Sequence, residues 1–197
     1  MYILATPTVP LLGSYRDALL RGWSPDNLSP EKARRQELER IEADPAGFVA
    51  GLDDLDARGG DLRMPDGSTV PRLPGFRRWV LETEADGPAP AFLGSIGFRF
   101  ARGTSALPPY CLGHIGYGVV PWHRRRGVAS FALQTLLREL RSTDLLAGMS
   151  YLELTTQPDN IASQRVIEKC GGRFVESFTT PAPYGDHTEL RYRIPLD

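Results

Sequence analysis

Two cysteines in 197 residues, Cys111 and Cys170, show none of the spacing of a metal knuckle, and a single bridge between them would be weak support for secretion. A reduced, cytoplasmic setting is the default expectation. Nowhere does the chain approach the roughly 18 consecutive apolar residues of a membrane span. The opening MYILATPTVP lacks a positive start and is interrupted by Pro7 and Pro10, unlike a secretory leader. Charge of one sign is missing too: 23 Lys and Arg against 24 Asp and Glu leave a formal charge of -1. That balance argues against nucleic acid as a partner, because a phosphate backbone is usually met by a basic excess or a basic face. GxxxxGK followed by Ser or Thr does not occur, and neither does GxGxxG, which removes two common nucleotide-binding loops. The acidic DDLDARGGD lacks the alternating oxygen ligands and terminal Glu of a calcium loop and reads as a solvated helix end. We expect no metal, no membrane and no nucleic acid.

The composition that remains is that of a globular protein, with 41% hydrophobic and 24% charged residues. The length suits one domain over residues 1–197. YILATP reads as a strand, and LLGSYRDALLRGW as a helix stopping at Gly22. Ser29 and Pro30 mark an N-cap and first helical position for EKARRQELERIEAD, and Pro45 restarts a helical segment through AGFVAGLDDLDA, filling the region to about residue 58. Pro and Gly make 61–75 a loop, after which FRRWVLETE and AFLGSIGFRF form a hairpin through ADGPAP. HIGYGVVP is a strand. RRRGVASFALQTLLRELRS is a long helix with Leu133, Leu136, Leu137 and Leu140 on one face. MSYLELTTQ is the next strand, NIASQRVIEKCGG a helix ended by Gly171 and Gly172, and RFVESFTTP with TELRYRIPL a final antiparallel pair. The fold class is α/β of the α+β kind, without repeats.

The cationic side chains are concentrated at Arg124, Arg125 and Arg126, where a strand ending at Pro121 passes into a helix. Amide groups in the first turn of a helix lack intrahelical acceptors and carry the positive end of its dipole, so they bind oxyanions. Gly127 and Ala129 are small enough to let the backbone approach phosphates closely, and guanidinium groups add charge-assisted hydrogen bonds. A solvated basic turn is the plainer alternative for the same residues.

The pattern Arg or Gln, two residues, Gly, one residue, Gly or Ala is met by Arg124, Gly127 and Ala129. It resembles the pyrophosphate-binding signature of the GNAT acetyltransferases. Downstream, PDNIASQRVIEKCGG is similar to that superfamily's second cofactor motif, at Asn160, Ser163, Val166 and Gly171. The two segments together most resemble a bacterial group of predicted acetyltransferases with an HIGYG strand. The likeness runs from about residue 91 to the C-terminus. It implies a mixed, mostly antiparallel sheet flanked by helices, with the strand ending at Val120 splayed from the one ending near Thr156 to admit coenzyme A. The implied cofactor-binding residues are Val119, Val120, Arg124, Arg125, Arg126, Gly127, Val128, Ala129, Asn160 and Ser163. The implied function is direct transfer of acetyl from acetyl-CoA to a primary amine, on a small molecule or a peptide N-terminus. Dimers are frequent in the superfamily, so a homodimer is compatible with the resemblance.

Three residues are candidates for proton handling. His114 stands where relatives carry a catalytic Glu, and its ordinary pKa suits a base, though a hydrogen-bonded histidine at a strand start fits equally. Glu153 is the only acid in its strand and reads as a base or as a partly exposed carboxylate. Tyr117, on the strand of His114 but of opposite side-chain parity unless a bulge intervenes, is a candidate acid, with Tyr184 or a water held by Ser163 as alternatives. The Tyr that many members place seven residues after the Asn is replaced by Ile167, which cannot protonate a thiolate. That departure motivates an alternative, a sensory or structural module binding acyl-CoA without turnover.

Overall fold

Pro7 and Pro10, which cannot donate to a ladder or continue a helix interior, separate the first strand from the first helix. The computed structural model describes residues 1–27, 29–64, 66–83, 90–181 and 184–196. In chain order these form β1 (Tyr2–Ala5), α1 (Leu12–Leu20), α2 (Pro30–Ala43), α3 (Pro45–Ala50), β2 (Asp53–Asp54), β3 (Leu62–Arg63), β4 (Thr69–Val70), β5 (Gly75–Glu82) and β6 (Ala91–Arg99). They continue as β7 (Ile115–Val119), α4 (Val128–Arg141), β8 (Tyr151–Thr156), α5 (Ile161–Lys169), β9 (Arg173–Thr179) and β10 (Thr188–Pro195). The architecture is the mixed α/β arrangement expected. The ADGPAP turn lies outside the described residues save for Pro90. One expectation is corrected: helix does not run to residue 58. Asp53–Asp54 pair with β5 as a short strand, and the Leu52 carbonyl accepts the Arg77 N–H at 2.7 Å. Backbone pairing here overrides the weak strand preference of Asp.

The chain divides into two compact units. The first comprises Met1–Asp54, Phe76–Gly97 and Tyr117–Ala132. Its strands follow the order β1-β5-β6-β7, with β1 antiparallel to β5 from Tyr2 opposite Glu82 to Ala5 opposite Trp79. Aromatic side chains dominate its core. Tyr15 stacks on Trp79 at 4.4 Å between centroids, and Trp23 meets Phe92 edge-on at 5.0 Å; such pairs add about 0.5–1.5 kcal/mol beyond area burial. Burying the Tyr15 ring also buries its hydroxyl, which needs a partner. It donates to Glu37, whose other oxygen takes Arg77 at 2.8 Å. Burial raises the Tyr15 pKa further above its ordinary range, so the group stays protonated as a donor.

The second unit comprises Leu55–Gly75, Phe98–Gly116 and Leu133–Asp197, and it carries the three-stranded order β8-β10-β9. β10 is antiparallel to both neighbours, running from Leu190 opposite Thr156 to Pro195 opposite Tyr151 on one side. Leu133, Leu136, Leu137 and Leu140 are buried, the apolar face read from their spacing. Gly171 at φ +91° ends α5, a conformation Gly adopts without strain. Ile167 is buried, and a Cβ on Gly172 would stand 2.3 Å from its Cγ2. Ile167 is a core residue, and Gly172 is the space that admits it.

Candidate functional site

In the first unit, β7 is the last strand of its sheet, and Val120 closes it with an N–H to the Leu93 carbonyl at 3.0 Å. Pro121–His123 make one turn of 3-10 helix, and the chain then crosses Arg124 to Gly127, all exposed, before α4 begins at Val128. Arg125 at φ +60° and Gly127 at φ +79° are both left-handed, just before the helix begins. The Phe131 N–H to Gly127 carbonyl bond, 2.9 Å, belongs to the first helical turn. The amides of Gly127, Val128 and Ala129 precede it and have no helical acceptor by construction. A Cβ on Gly127 would meet no atom within 4 Å, so the mouth of this turn is open space.

The three arginines are not equivalent. Arg126 is a strut: Nη2 meets the Glu82 carboxylate at 2.7 Å, Nη1 lies 2.7 Å from His123 Nδ1, and its carbonyl accepts the Tyr2 hydroxyl at 3.4 Å. His123 is half-buried rather than solvent-facing, and burial, with Arg126 next, holds its pKa below the ordinary value. Arg124 folds back so that Nε donates to the Val119 carbonyl at 3.3 Å. Trp122 is a packing residue with the Arg21 guanidinium 3.7 Å over its ring.

In the second unit, Asn160 precedes α5 and its Oδ1 accepts the Ser163 N–H at 3.1 Å, so the side chain caps the helix. Removing a cap of this kind costs about 1 kcal/mol. Asn160→Ala should lower unfolding stability by that amount in urea titration, with an unchanged slope.

His114 and Glu153 are adjacent through their main chains, the His114 N–H donating to the Glu153 carbonyl at 2.7 Å. The imidazole then bends back, and its Nδ1 accepts the Glu153 N–H at 2.8 Å. This assignment puts the ring proton on Nε2, a buried atom with no hydrogen-bond partner among the described residues. Burial, followed by the positive charge of Arg99, pushes the His114 pKa down to about 4. These contacts favour the reading of His114 as a hydrogen-bonded histidine over that of a base. Its acceptor nitrogen is already used, and the charged form is disfavoured by several orders of magnitude at neutral pH.

Glu153 departs from expectation as well. It is buried, not partly exposed, with Oε1 3.2 Å from Arg191 Nε and Oε2 taking Arg193 Nε at 3.1 Å. Both guanidiniums lie on aromatic rings, Arg191 on Phe178 at 4.2 Å and Arg193 on Tyr151 at 4.0 Å. Arg191 and Arg193 were not singled out from the sequence, although residues two apart in a strand share a face. Tyr117 is half-buried within β7. Among the described residues no group of three or more His, Cys, Asp or Glu is placed to hold a metal ion, and no helix is long and apolar enough to cross a membrane.

The acetyltransferase (GNAT) domain model matches residues 62–173, more than half of the chain. The chain belongs to the GNAT acetyltransferase family. It is thus an acyltransferase, and the turn at Arg124 to Ala129 lies within the matched residues. Solved structures of similar fold include an acetyltransferase from Salmonella typhimurium that modifies the N-terminal serine of a 50S ribosomal subunit protein. It has a TM-score of 0.58 and 16% identity over 100% of this chain and 95% of that one. A GNAT acetyltransferase from Bacillus anthracis has a TM-score of 0.54 and 20% identity, covering 98% and 94%. The microcin self-immunity acetyltransferase MccE, in complex with acetyl-CoA and AMP, has 0.56 and 10%, covering 99% and 92%. No curated protein matches the sequence significantly.

Proposed function

We propose that this GNAT acyltransferase moves the acetyl group of acetyl-CoA to a primary amine by direct transfer. The observation that carries the reading is the pair of left-handed residues, Arg125 and Gly127, that sets unpaired amides and exposed guanidiniums around open space at the head of a 14-residue helix. That is the donor set a diphosphate requires, and MccE, of similar fold, was solved with acetyl-CoA. The amides of Gly127 to Ala129, with Arg124 and Arg125, hold the pyrophosphate, while Arg126 stiffens the turn through Glu82. Val120 is tied to β6, and the main chain of Val119 serves the pantetheine arm after Arg124 releases its carbonyl. When bound, acetyl-CoA supplies an activated acetyl group. The Val119 N–H is the donor for charge developing on the acetyl oxygen, a role that contributes a few kcal/mol in comparable sites. We assign Asn160 and Ser163, already joined by the cap, to cofactor binding as well.

Proton handling falls to residues other than Ile167. We assign His114 a positioning role, holding the Glu153 backbone as a neutral ring, and Tyr117 the donation of a proton to the departing thiolate; the proton shed by the attacking amine passes to water, from which Tyr117 is reprotonated. Calorimetric titration with coenzyme A and a free-thiol assay over an amine panel test the reading. Binding, together with thiol release for at least one amine, is expected, and Tyr117→Phe should lower kcat at least about tenfold with coenzyme A affinity unchanged. Binding without release for any amine would instead leave a module that holds acyl-CoA.

A further inference from the structure

The second unit contains a cavity of about 390 Å³, bounded by the loop from Ser105 to Leu112 and by β8, β9 and β10. That volume lies in the range of small-ligand sites. Its walls are stiff for identifiable reasons. Pro108 and Pro109 restrict the loop, and the Ser105 Oγ accepts the N–H groups of Ser150 and Tyr151, at 2.8 and 3.1 Å, tying that loop to the start of β8.

Among the described residues, the charges lining the cavity are two guanidiniums, Arg191 and Arg193, and one carboxylate, Glu153. Glu153 spends one oxygen on each arginine. Arg191 is also held through Nη1 by Glu176, which does not line the cavity, while its buried Nε makes no hydrogen bond among the described residues. Arg193 is different, because only its Nε is used. Its Nη groups make no hydrogen bond among the described residues, while the Tyr151 ring at 4.0 Å and the Glu153 oxygen at 3.1 Å hold its plane in place. A fixed guanidinium fork with free donors matches a carboxylate through two parallel hydrogen bonds, and little ordering entropy remains to be lost on binding. A cation entering the same space would face two guanidiniums across one committed carboxylate.

We infer that this cavity takes the acceptor and that the acceptor carries a carboxylate close to its amine, gripped by Arg193. The inference rests on the transferase reading above and narrows its substrate to acidic amines. The link to that reading is Glu153, which lines the cavity with its side chain while its backbone is bonded twice to His114. An α-amino acid and a peptide whose second residue is acidic both present this chemistry, and the assay separates them.

Two pairs of acceptors differ only in a carboxylate: alanine against alaninamide, and Ala-Glu-amide against Ala-Gln-amide. We expect the acidic member of at least one pair to have a kcat/KM at least about tenfold higher, the worth of one charge-assisted hydrogen bond. The first pair indicates a free amino acid and the second a peptide. Arg193→Lys keeps the ion pair with Glu153 but lacks the fork, so it should abolish that preference while leaving coenzyme A affinity unchanged. Glutarate reads the cavity apart from catalysis: it should raise the melting temperature of the wild type but not of Arg193→Lys, and glutaramide should do neither. Equal use of both members of both pairs, or no response to glutarate, overturns the inference even if acetyl transfer is robust. Glutarate binding by a chain that ignores coenzyme A would instead sink the transferase reading and leave the cavity as a carboxylate site.

Discussion

Replacing Gly127 with Glu should lower coenzyme A affinity by about a hundredfold or more in a chain that still folds. No atom lies within 4 Å of the Cβ position, so the new side chain enters the open mouth of the turn rather than colliding with the protein. There its carboxylate has the same amides and guanidiniums for partners that the pyrophosphate needs, at the positive end of α4. Losing two charge-assisted hydrogen bonds and adding like-charge repulsion amounts to about 3 kcal/mol, and each 1.4 kcal/mol is tenfold. The backbone contributes separately. At φ +79° a non-Gly residue is strained by about 1 kcal/mol, which urea titration measures without ligand. Gly127→Asn separates the two effects, since Asn tolerates the left-handed region and adds no charge. It should lose less than about tenfold in affinity. If titration calorimetry finds the Glu variant folded and binding as tightly as the wild type, the turn does not hold the diphosphate.

What the sequence made legible was chiefly local. The stop at Gly22, the Pro30 start of α2, the Gly171 end of α5 and the strand-to-helix turn at Arg124 each follow from residues within a few positions of one another. Local sterics and hydrogen-bonding groups decide such features, so spacing carries the information. The features that were misread depend on partners far along the chain. Asp53–Asp54 become a strand only because β5 offers its edge. Glu153 reads as a solitary acid until β10, pairing antiparallel, sets Arg193 directly opposite and Arg191 two residues away. The alternation Arg191, Tyr192, Arg193 did announce two cations on one strand face. What it lacked was the register that supplies their carboxylate. Arg126 shows the same limit, since nothing in its spacing announces the ion pair with Glu82, 44 residues away.

The protein should lose stability as the pH falls from about 6.5 toward about 4 through His114 alone, and this separates its two readings. In the folded chain burial holds the imidazole pKa near 4, against an ordinary value of 6.5. Between those limits the unfolded chain takes up a proton that the folded chain refuses, so acidification favours unfolding. Above 6.5 the ring is neutral in both states and the stabilisation is fully present; it falls through the window and levels off below about 4. The gap corresponds to about 3 kcal/mol. Carboxylates titrate in the same range, but they do so equally in a His114→Asn variant, whose amide oxygen can still accept the Glu153 N–H. The difference between wild type and variant in urea midpoints should therefore be largest near pH 7.5 and shrink steadily to pH 4. A base working from the ordinary pKa behaves otherwise. It would give an acid limb in the thiol-release rate with a midpoint near 6.5, absent from the variant, and a stability difference independent of pH. That outcome would return His114 to the proton-transfer step, because the Nδ1 lone pair cannot serve the Glu153 amide and a substrate proton at once.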